Sequence, residues 1–170
     1  GVLSMGANGL NISGNWTRAA GTVSSTGTVT FNGAAAQSVD PTGSALQNVT
    51  VNAVGPVNLT GALDLSGNLA FTTGTLAAGA NSVNVGGNLT RVAGGLTSTG
   101  TVTFDGAGAQ AVNPVGSTFQ DVVVNSVGPV TVSNTLTIRN LTSTAGVLSM
   151  GANGLNISGN WTRAAGTVSS

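Results

Sequence analysis

VNLTGALDLSGNLAF, residues 57–71, decides the fold. Its odd positions (Val57, Leu59, Gly61, Leu63, Leu65, Gly67, Leu69, Phe71) are apolar or glycine, and most even positions are polar or small. A period of two sends successive side chains to opposite faces, the mark of a strand with one face buried. The same alternation extends outward in both directions. It runs through Leu10, Ile12, Gly14 and Trp16, through Val83, Val85, Gly87 and Leu89, and through the pairs Val29/Phe31, Val102/Phe104, Val49/Val51 and Val122/Val124. No stretch keeps helical spacing, and Thr, Val, Gly and Asn are poor helix formers. Asn8-Gly9, Asn32-Gly33, Asp105-Gly106 and Asn153-Gly154 punctuate the strands with residues suited to tight bends.

The chain repeats itself. GVLSMGANGLNISGNWTRAAGTVSS (1–25) recurs unchanged at 146–170, and GTLAAGANSVNVGGNLTRVAGGLTS (74–98) matches it at 13 of 25 positions. STGTVTFNGAAAQSVDPTGS (25–44) aligns with STGTVTFDGAGAQAVNPVGS (98–117), and LQNVTVNAVGPV (46–57) with FQDVVVNSVGPV (119–130). The organisation is therefore module 1–73, module 74–145 and a truncated third module, 146–170. A chain that stops in mid-module reads as a piece of a longer array of two-module units. A small protein with matching ends for head-to-tail stacking is the competing reading.

These patterns predict an all-β chain folded as a right-handed parallel β-helix, a β-solenoid, with about three coils of ~24 residues per 72–73-residue module. At a strand spacing of about 4.8 Å, three coils give roughly 14 Å per module and about seven coils a rod of roughly 34 Å. A β-sandwich is the rival, but no linker interrupts the pattern at 73–74 or 145–146.

Composition bounds the function. The chain has 170 residues, 40% hydrophobic and only 5% charged, with four Arg, four Asp and a net charge of zero. Lys, Glu, His, Cys and Tyr are absent. Such a chain lacks the clustered cations that nucleic acid requires. It has no apolar run of the roughly 18 residues that a membrane helix needs, no hairpin pattern of a membrane barrel, and no thiolates for disulfides or metal. No targeting segment is visible in it.

Catalysis on a β-helix needs several acids or bases in one groove. Only Asp40, Asp64, Asp105 and Asp121 are available, and their counterparts in the sister module are Asn113, Thr137, Asn32 and Asn48. Solvated surface aspartates are the expectation, with no catalytic residue, no cofactor and no metal site. Arg18, Arg91 and Arg163 recur after Gly-Asn-Trp-Thr or Gly-Asn-Leu-Thr. With whole coils per module they would form a column spaced by about 14 Å. They are the candidate surface contact, for an anionic glycan or a neighbouring fibre, against the plainer reading of strand-end charges that keep edges soluble. Trp16 and Trp161 share the parity of Leu10 and Ile12 and are expected in the core. The Thr28/Thr30 and Thr101/Thr103 pairs are too sparse for an ice-binding lattice. Eight Asn-x-Ser/Thr sequons (at Asn11, Asn15, Asn48, Asn58, Asn88, Asn140, Asn156 and Asn160) arise in any strand alternating Asn with Thr, and inward asparagines are candidates for amide ladders.

GNWT/GNLT, GTVTFNG, FQDVVVN and GALDLSGNL resemble the repeats of large secreted bacterial surface adhesins of the filamentous-haemagglutinin-like and autotransporter type. The resemblance covers the whole chain as a style of repeat. It implies a right-handed β-helical stalk at the cell surface or in the extracellular space. It transfers no site residues, because the shared phrases are structural. The expected function is a non-enzymatic stalk or fibre segment. Its expected partners are adjacent repeats of its own kind, with host or matrix glycans as the further candidate, and no nucleic acid and no membrane insertion. The alternatives are a self-assembling extracellular filament or sheath subunit stacked head to tail, and a carbohydrate-active β-helix enzyme.

Overall fold

A computed structural model describes residues 1–170. Its regular structure is nineteen β-strands with no helix. Strand pairing is parallel throughout and joins residues about one coil apart: Val29 lies on Val49, Val49 on Leu69 and Leu69 on Leu89. Consecutive stretches of chain are therefore stacked coils, and the fold is a parallel β-solenoid of about eight turns. Alternation with short turns produces this arrangement because each inward residue is buried by the coils above and below it. The edge N–H and C=O groups pair in the same directions.

The coil is shorter than the ~24 residues that the sequence suggested, at about 20. The difference lies in how a module divides. Each coil contributes three strand segments, one to each of three stacked columns, here A, B and C. Column A carries Leu10–Ile12, 29–31, 49–51, Leu69–Thr73 and Leu89–Arg91. Column B carries Gln37–Val39, Val57–Leu59, Thr75–Gly79 and 95–98. Column C carries Val2–Gly6, 22–25, 45–46, Leu63–Leu65, Val83–Val85, 102–104, 122–124, 141–143 and Trp161–Arg163. The first module supplies eleven segments: 2–6, 10–12, 16, 22–25, 28–31, 37–39, 45–46, 48–52, 57–59, 63–65 and 69–73. Eleven segments at three per coil make three and two-thirds coils, not three whole ones. Each module therefore starts on a different column: Val2–Gly6 on C, Thr75–Gly79 on B and 147–149 on A.

The core is one continuous cluster of 33 buried apolar residues. Strands such as Val57–Leu59 and Leu63–Leu65 bury their odd residues and expose the even one between. Phe31 and Phe71, both essentially fully buried, flank Val51 in column A, while Phe104 lies in column C. The recurring Gly-Pro pairs have a steric cause. A Cβ added to Gly55 would sit 2.3 Å from the Ala35 carbonyl carbon, and one on Gly128 would sit 2.5 Å from that of Gly108. The coils approach too closely there for any side chain.

Two coils are longer than the rest. Trp16 lies on Val39 and Leu89 on Val112, so the turns at 32–36 and 105–109 absorb three extra residues. The buried side chains of Gln37 and Gln110 fill the space beneath these turns.

Candidate functional site

Gln37 and Gln110 are the most elaborate polar constructions in the molecule. The Gly33 N–H donates to Gln37 Oε1 at 3.0 Å, while Gln37 Nε2 donates to the carbonyls of Ile12 (2.9 Å) and Gly14 (2.6 Å). Gln110 repeats the set with the Gly106 N–H (3.0 Å) and the carbonyls of Val85 (2.7 Å) and Gly87 (2.6 Å). A buried primary amide is tolerable only when its donors and acceptor are satisfied. Here each one ties a wide turn to the coil beneath. The sequence reading passed over them, although AAAQSV and AGAQAV place both at the same module position.

A ladder of asparagines joins coils at the entry to column A. Asn48 Oδ1 accepts from the Asn68 N–H at 3.0 Å, Asn68 Oδ1 from the Asn88 N–H at 2.7 Å, and Asn88 Oδ1 from the Ala111 N–H at 2.7 Å. Asn15 and Asn140 do the same for the N–H groups of Ser38 and Asn160 at 2.8 Å. The amide ladders are thus present at the corners, at or near the surface, and not inside the core. The sequon residues Asn15, Asn48, Asn88 and Asn140 all spend their side-chain carbonyls in this way.

The three recurring arginines do not form a column. Arg18 follows the column B segment at Trp16, Arg91 ends a column A strand, and Arg163 ends a column C strand. The offset of two-thirds of a coil per module carries them round the rod. Each turns back on its own chain. Arg18 NH1 donates to the Gly21 carbonyl at 3.4 Å, Arg91 Nε to that of Gly94, and Arg163 Nε to that of Gly166 at 2.8 Å. The Arg-x-Ala-Gly phrase is therefore a turn in which the guanidinium satisfies a carbonyl three residues on. Arg18 also lies 3.6 Å from Asp40, whose carboxyl is held below the usual range by hydrogen bonds from Thr42 and by the Arg18 charge. Arg139 grips Asp121 with two hydrogen bonds, at 3.1 and 2.7 Å, and Asn140 adds a third at 2.7 Å. Those bonds lower the Asp121 pKa.

Asp64 and Asp105 behave otherwise. They make no ion pair and share a groove of about 530 Å³ whose polar lining includes Ser24, Ser44, Gln47 and Ser66. Asp105 is pushed above the ordinary carboxylate range by partial desolvation and by the Asp64 charge. The sequence favours solvated turn or strand-face aspartates over two meeting across coils. Stacking brings these two together from strands about two coils apart.

Trp16 packs on the core with its ring centroid 6.3 Å from that of Phe31, as expected, whereas its identical counterpart Trp161 is 52% exposed. The Thr28/Thr30 and Thr101/Thr103 pairs fall on columns A and C respectively, so they do not form a common array. Comparison with known proteins returns no match: no family model, no curated protein and no solved structure matches the chain.

Proposed function

We propose that this chain is a stiff, non-enzymatic rod, a stalk or fibre segment of a secreted, adhesin-like bacterial cell-surface protein. The observation that carries the reading is continuity. Strand Asn140–Ser149 runs unbroken through the second module boundary, and Leu69–Thr73 and Thr75–Gly79 abut at the first. The apolar core passes through both as one cluster. A chain built this way resists bending and cleavage, because most of its 96 backbone–backbone hydrogen bonds run to a neighbouring coil. Neutral Thr, Asn and Ser on the outer faces keep it hydrated without charge. The surface location and the adhesin kinship rest on the resemblance of the repeat phrases.

The test is length. A concatenated series of the 145-residue unit, imaged by electron microscopy or measured by X-ray scattering, should lengthen by about 35 Å per unit, seven and a third coils at about 4.8 Å. It should also stay straight. Beads on a string, or hinges at the module boundaries, would defeat the stalk reading.

One observation favours a second reading, a carbohydrate-active site: Asp64 and Asp105 face one groove, and one of them holds its proton more readily than usual. Glycan turnover that disappears in both Asp64→Asn and Asp105→Asn would establish it. Turnover unchanged in either would remove it.

A further inference from the structure

We infer that Asn32-Gly33 and Asp105-Gly106 are latent self-modification sites, set up for succinimide formation, and that the buried amides of Gln37 and Gln110 hold them unreacted. The inference stands apart from the stalk reading, since it concerns the chemical durability of the two wide turns.

The hazard is in the sequence of those turns. In an Asn-Gly pair the glycine nitrogen can attack the side-chain carbonyl carbon of the asparagine. A new N–C bond closes a five-membered succinimide, the N–H proton passes to the departing amide group, and ammonia is released. Water then opens the ring at either carbonyl and leaves aspartate or its β-linked isomer, isoaspartate. From Asp-Gly the departing group is water, and the net change is isomerisation. Glycine is the most reactive successor because no side chain shields its nitrogen. Isoaspartate lengthens the main chain by a methylene, which a coil seated in register on its neighbours cannot absorb.

Packing dictates both glycines. A Cβ on Gly33 would sit 2.7 Å from the Gln37 carboxamide carbon, and one on Gly106 would sit 2.8 Å from that of Gln110. Asn32 and Asp105 are exposed, so water reaches each side chain and the departing group can escape. Partial burial and the Asp64 charge also favour the protonated Asp105 carboxyl, the form that loses water to close the ring.

The glutamines that force the glycines also disarm them. Gln37 Oε1 accepts from the Gly33 N–H and Gln110 Oε1 from the Gly106 N–H, both at 3.0 Å, and both glycines are buried. Attack needs that proton to leave and the peptide plane to turn, and a buried hydrogen bond opposes both. Neighbouring coils pin the plane as well. The Asn32 N–H donates to the Ile12 carbonyl at 3.0 Å, and the Gly33 carbonyl accepts from the Val54 N–H at 2.9 Å. The Asp105 N–H donates to the Val85 carbonyl at 3.3 Å, and the Gly106 carbonyl accepts from the Val127 N–H at 2.9 Å.

The test uses the full chain at mildly alkaline pH, with peptide mapping by mass spectrometry. In the unaltered protein Asn32 should stay intact over a period in which the urea-unfolded chain converts. Asp105→Asn copies the first module at the deeper site and makes reaction there visible as a mass change. It should stay intact too. Asp105→Asn/Gln110→Leu should convert at least about tenfold faster, the factor that one lost hydrogen bond can release. Asp105→Asn/Gln110→Glu should remain slow, because a glutamate in either protonation state still offers an oxygen to the Gly106 N–H. Hydrogen exchange at the Val127 amide, which is bonded to the Gly106 carbonyl, reports whether the turn has simply opened. The inference is overturned by folded Asn32 converting as fast as in the unfolded chain, or by equal rates with Leu and Glu at position 110. An acceleration no larger than the loss of Val127 protection would overturn it as well.

Discussion

The first 25 residues and the last 25 are the same peptide in two settings. Leu3 is 54% exposed and Leu148 1%; Met5 is half-buried and Met150 is 2% exposed; Trp16 is half-buried and Trp161 is 52% exposed. Nothing local differs. Leu148 lies between Val130 and Val168, whereas Leu3 has only Val23 stacked on it; Trp16 lies under Val39, whereas Trp161 has only Leu141 beneath it. Burial in this fold is a property of the stack, so stability is a sum over contacts between neighbouring coils. Turn chemistry does belong to the peptide. Arg18 and Arg163 bond the carbonyl three residues on in both settings.

The comparison can be broken at its most divergent position. Leu148→Ala should cost about 2–4 kcal/mol in the stability of the upper coils, the usual cost of emptying a buried leucine site. Leu3→Ala, the same change in the same peptide, should cost less than about 0.5 kcal/mol, as surface substitutions do. Urea unfolding of the two variants, with hydrogen exchange to place the loss, checks this. Equal costs would mean that the peptide and not the stack sets its own stability.

The buried glutamines extend the contrast to polar groups. Gln110→Leu strands the Gly106 N–H and the carbonyls of Val85 and Gly87 in the middle of the rod. The expected loss is about 3 kcal/mol, since orphaned buried groups cost about 1–3 kcal/mol each and relaxation recovers part of it. Gln37→Leu strands the same kinds of group, but the carbonyls of Ile12 and Gly14 belong to the first coil. That coil is covered on one side only and can open to water, so a loss of about 1–2 kcal/mol is expected. Chemical denaturation of both variants reads the difference, and a larger loss at Gln37 would reverse the argument.

How much of this was legible in the sequence follows from which signals are local. Alternation in 57–71 named the strands and their inward residues, because period two is a property of a single strand. The coil length was also written there. LDLSGNL at 63–69 and VNVGGNL at 83–89 lie one coil apart, as do Asn48, Asn68 and Asn88 of the ladder. The 73-residue duplication obscured that period, because identity between modules is high while coils share only a pattern. Dividing a module into whole coils then placed Arg18, Arg91 and Arg163 in line, and the extra two-thirds of a coil separates them. The meeting of Asp64 with Asp105 was illegible for a deeper reason: it depends on the stacking offset of residues two coils apart, which no local pattern carries.

The smallest effect concerns that pair and compares the two modules at one position, Asn32 in the first and Asp105 in the second. Folding raises the Asp105 pKa through burial and the Asp64 charge, so the folded chain favours the protonated form. The contribution of Asp105 to stability is therefore complete below the unfolded carboxylate value of about 3.9 and is lost as pH rises through its higher folded value. At neutral pH its charge is a liability, and Asp105→Asn should stabilise by a few tenths of a kcal/mol, about 1 °C in Tm, after allowance for solvent screening. At pH 3 the gain should vanish. Asp121 has the opposite sign. Arg139 lowers its pKa, so its contribution is present above the unfolded value and is lost as pH falls through the folded one. Asp121→Asn should destabilise at pH 7 and do little at the lowest pH. Thermal melts of the two variants at pH 3 and pH 7 should therefore diverge in opposite directions. A gain from Asp105→Asn that is the same at both pH values would show that packing, and not charge, distinguishes the two modules at this groove.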